Sequence, residues 1–456
     1  MFKVDEIIQA TKGQLIQGSR TDKITNISTD SRSLKPFEAF LALRGKNYDG
    51  HDFIARALEL KASCIIVEKK PEISIPSHVT VVKVKDAVLA LGNIARFQRQ
   101  KINLPVIAVT GSNGKTTTKE MIAWVLSAYD QVLKNEGTKN NQIGLPQALI
   151  QLTKKDSFAV VEIGTNHFGE VDYLAKIAKP NIGLITNIGP SHLEFLKNLK
   201  GVAKEKSSLL DNLAKPAIAL LNADDKSLKS LIQRKIKGQR IFSFGINEKS
   251  DFSASGIKLK NKRIEFKVNS KYNFELSTLG DYNIYNALGA IAVGRICGLS
   301  YAQIRARLVT FKFPKGRFNF VEFKGLKFID DTYNSNPLSL NAALTTLGAI
   351  NCKGRRILVM ADMLELGKQK ELLHRQIAWG ITNNCDLLIA VGSLARITAR
   401  AARRNGMPAK HVFCCANALA ARDLLFKKIF PKANDLILVK GSRSMKMEEV
   451  LRLSRT

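Results

Sequence analysis

Between residues 104 and 128 the chain reads as strand, glycine loop, Lys-Thr pair and helix. Val106 to Val109 is apolar and rich in β-branched residues, and it stops at Thr110. Gly111-Ser112-Asn113-Gly114-Lys115-Thr116-Thr117 follows, and Lys119 to Ala128 then carries Met121, Ile122, Val125 and Leu126 at helical spacing. Glycines let backbone N–H groups turn inward into an anion-binding nest, and the helix N-terminus adds its dipole. Lys115 is placed to neutralise the outer phosphates of a nucleoside triphosphate, and the Thr116 hydroxyl to ligate Mg²⁺. Only Ser112 and Asn113 separate the two glycines, where the common phosphate loop has four residues. An ordinary strand-to-helix turn with an exposed lysine is the alternative. The flanking strand and helix argue against it.

At 456 residues the chain suits about two to four domains. No run of about eighteen or more apolar residues occurs, so no membrane-spanning helix is expected. The N-terminus carries Asp5 and Glu6 and lacks the apolar stretch of a signal peptide. Six scattered cysteines without a C-x-x-C pair read as reduced thiols, which suits a cytoplasmic protein. The net charge of +32 raises nucleic acid, anionic membranes and acidic substrates as partners. The excess is spread: 16 Lys+Arg against 11 Asp+Glu in residues 1–100, 31 against 17 in 101–312, and 24 against 11 in 313–456. Local clusters at 234–237 and 258–263 alternate with apolar residues, as solvated faces do. Anionic small substrates fit this distribution better than nucleic acid, which is not expected as a partner.

Residues 1–100 mix short strands (23–28, 39–43, 64–67, 79–84) with helices near 4–9, 52–60 and 88–100. Residues 101–312 alternate strands (158–163, 182–186, 217–222, 241–244) with helices (171–178, 202–213, 226–236). A hairpin at 264–278 and helices from Tyr282 and Tyr301 follow. Residues 313–456 hold a second series, with strands at 318–323, 327–330, 356–360, 387–391 and 436–439. Its helices lie near 338–350, 371–382, 394–402 and 419–427. The fold class is therefore α/β in three domains: a small N-terminal domain, a central doubly wound, mostly parallel sheet, and a C-terminal Rossmann-like domain. Ligands of such sheets sit beyond the carboxyl ends of the strands.

Several polar groups stand at such ends. Glu162 closes the 158–163 strand and can hold Mg²⁺ bridging phosphates. His192 follows the 182–186 strand and suits a magnesium or substrate contact. Lys204 and Lys206 open the next helix. Asp330-Asp331-Thr332-Tyr333-Asn334-Ser335-Asn336-Pro337 ends a strand and starts a helix, which suits a ribose-binding acid, although Asp and Asn also favour turns. Lys440-Gly441-Ser442-Arg443 suits a carboxylate or phosphate clamp.

Together these motifs resemble the Mur ligase family, ATP-dependent amide-forming enzymes of peptidoglycan synthesis, over essentially the whole chain. The shortened loop is Thr110 to Thr117. Ser-Thr-Asp-Ser-Arg at 28–32 resembles the uridine-side motif, 140–146 the substrate-facing loop, and 161–166 the metal-site strand end. Asn283 to Leu288 resembles the adenine-side helix, and 361–367 and 440–443 complete the match. The 330–337 stretch favours the branch that adds D-alanyl-D-alanine to UDP-N-acetylmuramoyl-tripeptide. Departures are Ala361, Tyr282, where a histidine is usual, and Lys315 before Gly316-Arg317.

The resemblance implies ATP contacts from Thr110, Gly111, Ser112, Asn113, Gly114, Lys115, Thr116, Thr117, Asn283, Asn286, Arg317 and Asp331. Substrate contacts would come from Ser31, Arg32, Asn141, Thr165, Asn166, Tyr333, Asn334, Asn336, Lys440, Ser442 and Arg443. Thr116, Glu162 and His192 would hold Mg²⁺. Lys115, Glu162, His192 and Lys206 would be catalytic, with Lys206 the candidate for the carbamylated lysine of some members. It further implies a monomer that activates a carboxylate as an acyl phosphate. A ligase using another amine is the nearer alternative, and a nucleotide-regulated nucleic-acid-binding protein the more distant one.

Overall fold

The computed structural model describes every residue except 46, 129–130, 234–237, 261–262, 324 and 453–456. The basic cluster at 234–237 and two residues of the one at 258–263 therefore lie outside the described residues. Three α/β units follow along the chain, each built on its own main sheet.

In the first unit, strands pair in the order Gln14–Gln17, Thr80–Lys83, Cys64–Val67, Ala39–Leu41 and Ile27–Ser28, parallel except at the first pair. The single strand expected over 23–28 is two. Lys23–Ile24 pairs antiparallel with Phe2–Lys3, and Ile27–Ser28 joins the main sheet. Helix Ala87–Lys101 starts where the Asp86 carboxylate accepts from the Leu89 N–H at 2.8 Å. Its Leu91, Ile94 and Ala95 enter the same apolar core as Ile7, Ile66, Val106, Ala108 and Leu145. The first two units thus share one core, and this helix is the slab between their sheets.

The central sheet has nine strands. Their order is Tyr272–Leu276, Arg263–Val268, Phe252–Lys260, Gln239–Gly245, Ala217–Asn222, Ile182–Ile185, Val106–Thr110, Phe158–Glu162 and Val132–Lys134. The seven from Phe252–Lys260 onward are parallel, and the other two extend the sheet as an antiparallel meander, so the expected hairpin gains a third strand. Successive side chains alternate between faces. Val106, Ala108, Ala159 and Val161 enter the core shared with the first unit, while Ile107, Val109, Val160 and Leu184 enter a second core under helices Lys115–Leu126 and Asn283–Ile296. Strand order reverses beside Val106–Thr110. A crevice opens at its carboxyl end, between Phe158–Glu162 and Ile182–Ile185. The helix expected at 202–213 is Leu199–Ser207 followed by a tight turn, and the one expected at 226–236 is described as Lys229–Gln233.

The third sheet runs Asn319–Phe323, Leu326–Asp331, Leu436–Lys440, Arg356–Ala361, Leu387–Val391 and Val412–Cys415, parallel except at the first pair. The last strand was not expected. The helix expected over 371–382 is two, Lys370–Gln376 and Ala378–Asn384, joined at Ile377. No helix among the described residues is long and apolar enough to cross a membrane.

Candidate active site

One cleft of about 1080 Å³ lies between the carboxyl ends of the central and C-terminal sheets. The phosphate loop forms its floor. Gly111 and Gly114 have φ of 144° and 81°. A β-carbon at Gly114 would overlap the Asn286 amide oxygen, so glycine is required both by conformation and by close approach. The loop is tied to the next strand end: the Ser112 N–H donates to the Asn187 carbonyl at 2.9 Å, and the Asn113 N–H to Asn187 Oδ1 at 3.0 Å. Lys115 Nζ donates to the Gly111 and Ser112 carbonyls at 2.9 and 3.3 Å, and burial lowers its pKa. Ser112 to Thr117 line the cleft, but Thr110 and Gly111 do not. The Thr110 hydroxyl donates to the Ile163 carbonyl at 2.9 Å, so it braces the strand beneath the loop instead of facing a nucleotide.

Glu162 sits beside the loop and is buried. Its Oε1 accepts from Asn140 Nδ2 at 2.7 Å, and Asn135 brackets its backbone with bonds of 2.9 and 3.0 Å. Its Oε2 is buried without a hydrogen-bond partner among the described residues. A buried carboxylate oxygen in that state wants a cation. No cluster of three or more His, Cys, Asp or Glu side chains poised for a metal occurs among the described residues. Mg²⁺ is commonly held by one or two carboxylates together with substrate phosphates. Lys206 is buried behind this group and does not line the cleft. Burial, and then the neighbouring Lys115, push its ammonium well below the usual lysine range. The Thr165 hydroxyl donates to the His167 carbonyl at 2.8 Å, and the Asn166 N–H to Glu170 at 2.6 Å; both residues line the cleft.

The C-terminal unit supplies the opposite wall. Arg317 Nη2 donates to the Thr116 hydroxyl at 3.3 Å, and its guanidinium lies 3.8 Å from the Tyr333 ring centre. Asn336 Nδ2 donates to Asn113 Oδ1 at 2.7 Å and the return bond is 3.3 Å. Lys440, expected as a substrate clamp, is buried against Asp331 at 2.5 Å and also donates to the Asn334 carbonyl at 3.0 Å. Burial raises the Asp331 pKa, against the opposing pull of Lys440 and Arg317. Ser442 Oγ accepts from the Leu364 N–H at 2.9 Å, and Arg443 pairs with Glu448 at 3.0 Å. His192 Nδ1 lies 2.6 Å from Glu365 Oε2, and this bond holds Glu365 below the usual carboxylate range.

Asn283 and Asn286 line the cleft and bond to each other at 2.9 Å, and Asn286 also accepts from Thr118 at 3.0 Å. Ser31, Arg32 and Asn141 do not line it. Arg32 is exposed and engages the Asp30 carboxylate through two bonds of 2.9 and 2.7 Å. Asn141 stands just before helix Gly144–Ile150, and its side-chain oxygen accepts from the Gly144 N–H at 2.9 Å. That helix and the residue after it meet the 26–29 stretch through Gln147–Thr29 and Gln151–Asn26 contacts, so Ser31, Arg32 and Asn141 lie away from the cleft, on the N-terminal side.

Comparison with known proteins fits this geometry. The chain is 35% identical to the UDP-N-acetylmuramoyl-tripeptide–D-alanyl-D-alanine ligase of Haemophilus influenzae, over 98% of this chain and 96% of that protein. The chain belongs to the Mur ligase family. The family's N-terminal profile, described as the Mur ligase family catalytic domain, matches residues 23–105. The Mur ligase middle domain matches 109–294, and the glutamate ligase domain 316–443. A crystal structure of MurF from Acinetobacter baumannii superposes with a TM-score of 0.89 at 32% identity, covering 99% of this chain and 98% of that one. MurF from Thermotoga maritima in complex with ADP gives 0.82 at 26% identity, covering 93% and 96%. The three-domain α/β architecture of the Mur ligases is therefore this chain's fold.

Sequence reasoning left three site residues of this Mur ligase without a role. Asn140 and Glu365 stood inside quoted motifs, and Asn187 follows a strand end. The available signal was position at a strand end or beside a motif residue. Their partners lie far away in sequence, so pattern alone could not assign them.

Proposed function

We propose that this chain joins D-alanyl-D-alanine to UDP-N-acetylmuramoyl-tripeptide at the expense of ATP, in peptidoglycan precursor synthesis. The observation that carries the reading is the amide pair between Asn113 of the phosphate loop and Asn336 of the 330–337 stretch. It joins the nucleotide loop directly to the stretch that distinguishes this branch.

The tripeptide's terminal carboxylate oxygen attacks the γ-phosphorus of ATP, breaking the bond to the bridging oxygen and giving an acyl phosphate and ADP. The amine of D-alanyl-D-alanine then attacks the acyl carbon and phosphate leaves, with loss of the amine proton. Phosphoryl transfer needs positioning and charge neutralisation more than a protein nucleophile. Lys115 and Arg317 bring positive charge to the phosphate loop. Thr116, Glu162 and His192 would hold Mg²⁺, and Glu162 Oε2, which has no hydrogen-bond partner among the described residues, supports that assignment. Bound there, Mg²⁺ would neutralise phosphate charge. Lys206 is held toward its neutral amine, the form that carbamylates, which supports the carbamylation reading.

Contacts between the central and C-terminal units at Asn113–Asn336, Thr116–Arg317 and His192–Glu365 support exclusion of water from the acyl phosphate. Asp331, with Asn283 and Asn286, is assigned to the nucleotide. Thr165, Asn166, Tyr333, Asn334, Lys440, Ser442 and Arg443 are assigned to peptide and amine. Ser31, Arg32 and Asn141 take the uridine-linked end, where Arg32 would exchange Asp30 for an anionic ligand. Domain limits of 1–100, 101–312 and 313–456, a monomeric state and a cytoplasmic location belong to the same proposal.

A coupled ADP-release assay across candidate amines tests it. ADP release should require both the UDP-linked tripeptide and D-alanyl-D-alanine, and Lys115→Ala should abolish it. Turnover with another amine in preference to D-alanyl-D-alanine overturns the assignment.

A further inference from the structure

We infer that Glu365 is a positioning residue: it fixes the tautomer and orientation of the His192 ring, and it does so by arriving with the C-terminal unit. The inference deepens the reading of the active site above and rests on it for what His192 faces. The two residues are 173 positions apart and belong to different units. A second contact between the units lies beside the first, because the Glu365 carbonyl accepts from the Glu194 N–H at 3.1 Å.

The segment that delivers Glu365 is stiff. Asp362 Oδ1 accepts from the Ala395 N–H at 2.6 Å, and the Met363 N–H donates to His374 Nε2 at 3.0 Å. Glu365 and His192 both have left-handed backbone, with φ of 62° and 53°. Such conformations persist only where the surroundings over-determine them. Docking at this point is close. A β-carbon on Gly367, whose φ is 56°, would stand 2.9 Å from the Glu194 Cα.

A carboxylate at Nδ1 selects the tautomer with the proton on that nitrogen. In the neutral ring Nε2 then carries the free lone pair. Nε2 has no hydrogen-bond partner among the described residues, and His192 lines the cleft. A carboxylate–histidine pair of this kind orients an imidazole toward a metal. The arrangement makes the ligand-ready form of His192 depend on the docking of the two units.

The test is the ¹⁵N–¹H imidazole spectrum of the histidine-labelled full chain. It holds six histidines, and His192→Asn identifies the signal. Wild type should show His192 as the Nδ1–H tautomer. Glu365→Ala should convert it to a mixture or to Nε2–H, whereas Glu365→Gln, whose amide oxygen still accepts, should retain it. Gly367→Val leaves Glu365 in place but blocks the docking, and should convert it too. An unchanged Nδ1–H tautomer in Glu365→Ala overturns the inference. Mn²⁺ affinity in the presence of a non-hydrolysable ATP analogue provides the second readout, with a loss of about 10–100-fold expected for Glu365→Ala. A changed tautomer with unchanged Mn²⁺ affinity supports the positioning role and refutes His192 as a metal contact.

Discussion

Lys440→Met tests the buried ion pair on which the C-terminal wall of the cleft is built. The Lys440 side chain is 2% exposed and that of Asp331 10%, with 2.5 Å between their charged atoms. Removing one partner of a buried pair leaves the other uncompensated and costs about 3–5 kcal/mol. The lost bond to the Asn334 carbonyl falls within that range. Replacing both charges, as in Asp331→Asn with Lys440→Met, should cost about 1–2 kcal/mol, because no buried charge is stranded.

The pH dependence has a definite sign. Burial already raises the Asp331 pKa in the folded chain while Lys440 pulls it down, so losing Lys440 raises it further. A raised carboxyl means that the folded state keeps a proton the unfolded state has released, so stability falls as pH rises through this window. The Lys440→Met penalty should therefore be complete at pH ~7.5 and shrink toward pH ~5 as Asp331 protonates. Urea unfolding followed by far-ultraviolet circular dichroism at the two pH values measures it. A penalty below about 1 kcal/mol at the higher pH, or one equal at both, refutes the reasoning.

Gly114→Ala should lose about 2–4 kcal/mol from the left-handed φ and the overlap with Asn286. Its ADP affinity by calorimetry should fall with it, and adding Asn286→Ala should recover only part. Asn140→Ala removes the hold on Glu162 Oε1, so the Mg²⁺ concentration for half-maximal ADP release should rise about 10–100-fold with little change in the KM for the peptide substrate. Asn336→Ser keeps a capping oxygen for helix Pro337–Ala349 but cannot span to Asn113. Stability should stay within about 0.5 kcal/mol, while X-ray scattering reports a more open chain.

Much of the fold was legible because its signals are local. The parallel strands at 106–110, 158–162 and 182–185 are continuous apolar runs, and their ends announced the crevice. Edge strands were harder. Gln14–Gln17 has a half-exposed alternation and only one neighbour, and Val412–Cys415 lies at the far edge of its sheet with Cys414 exposed. Such segments become strands because a partner edge offers hydrogen bonds, which no local pattern records.

The sequence by itself determined the phosphate loop, the strand ends that carry Glu162, His192 and Asp331, and membership of one family, since each is written in contiguous residues. Only the tertiary structure decided which charges meet. Lys440 became the buried partner of Asp331 across 109 residues, Lys206 lost its water and was driven toward a neutral amine, and Glu162 was left with one oxygen unanswered among the described residues. The reason is physical: burial and long-range pairing fix ionisation and hydrogen-bond satisfaction, and both depend on packing between segments that local propensity cannot register.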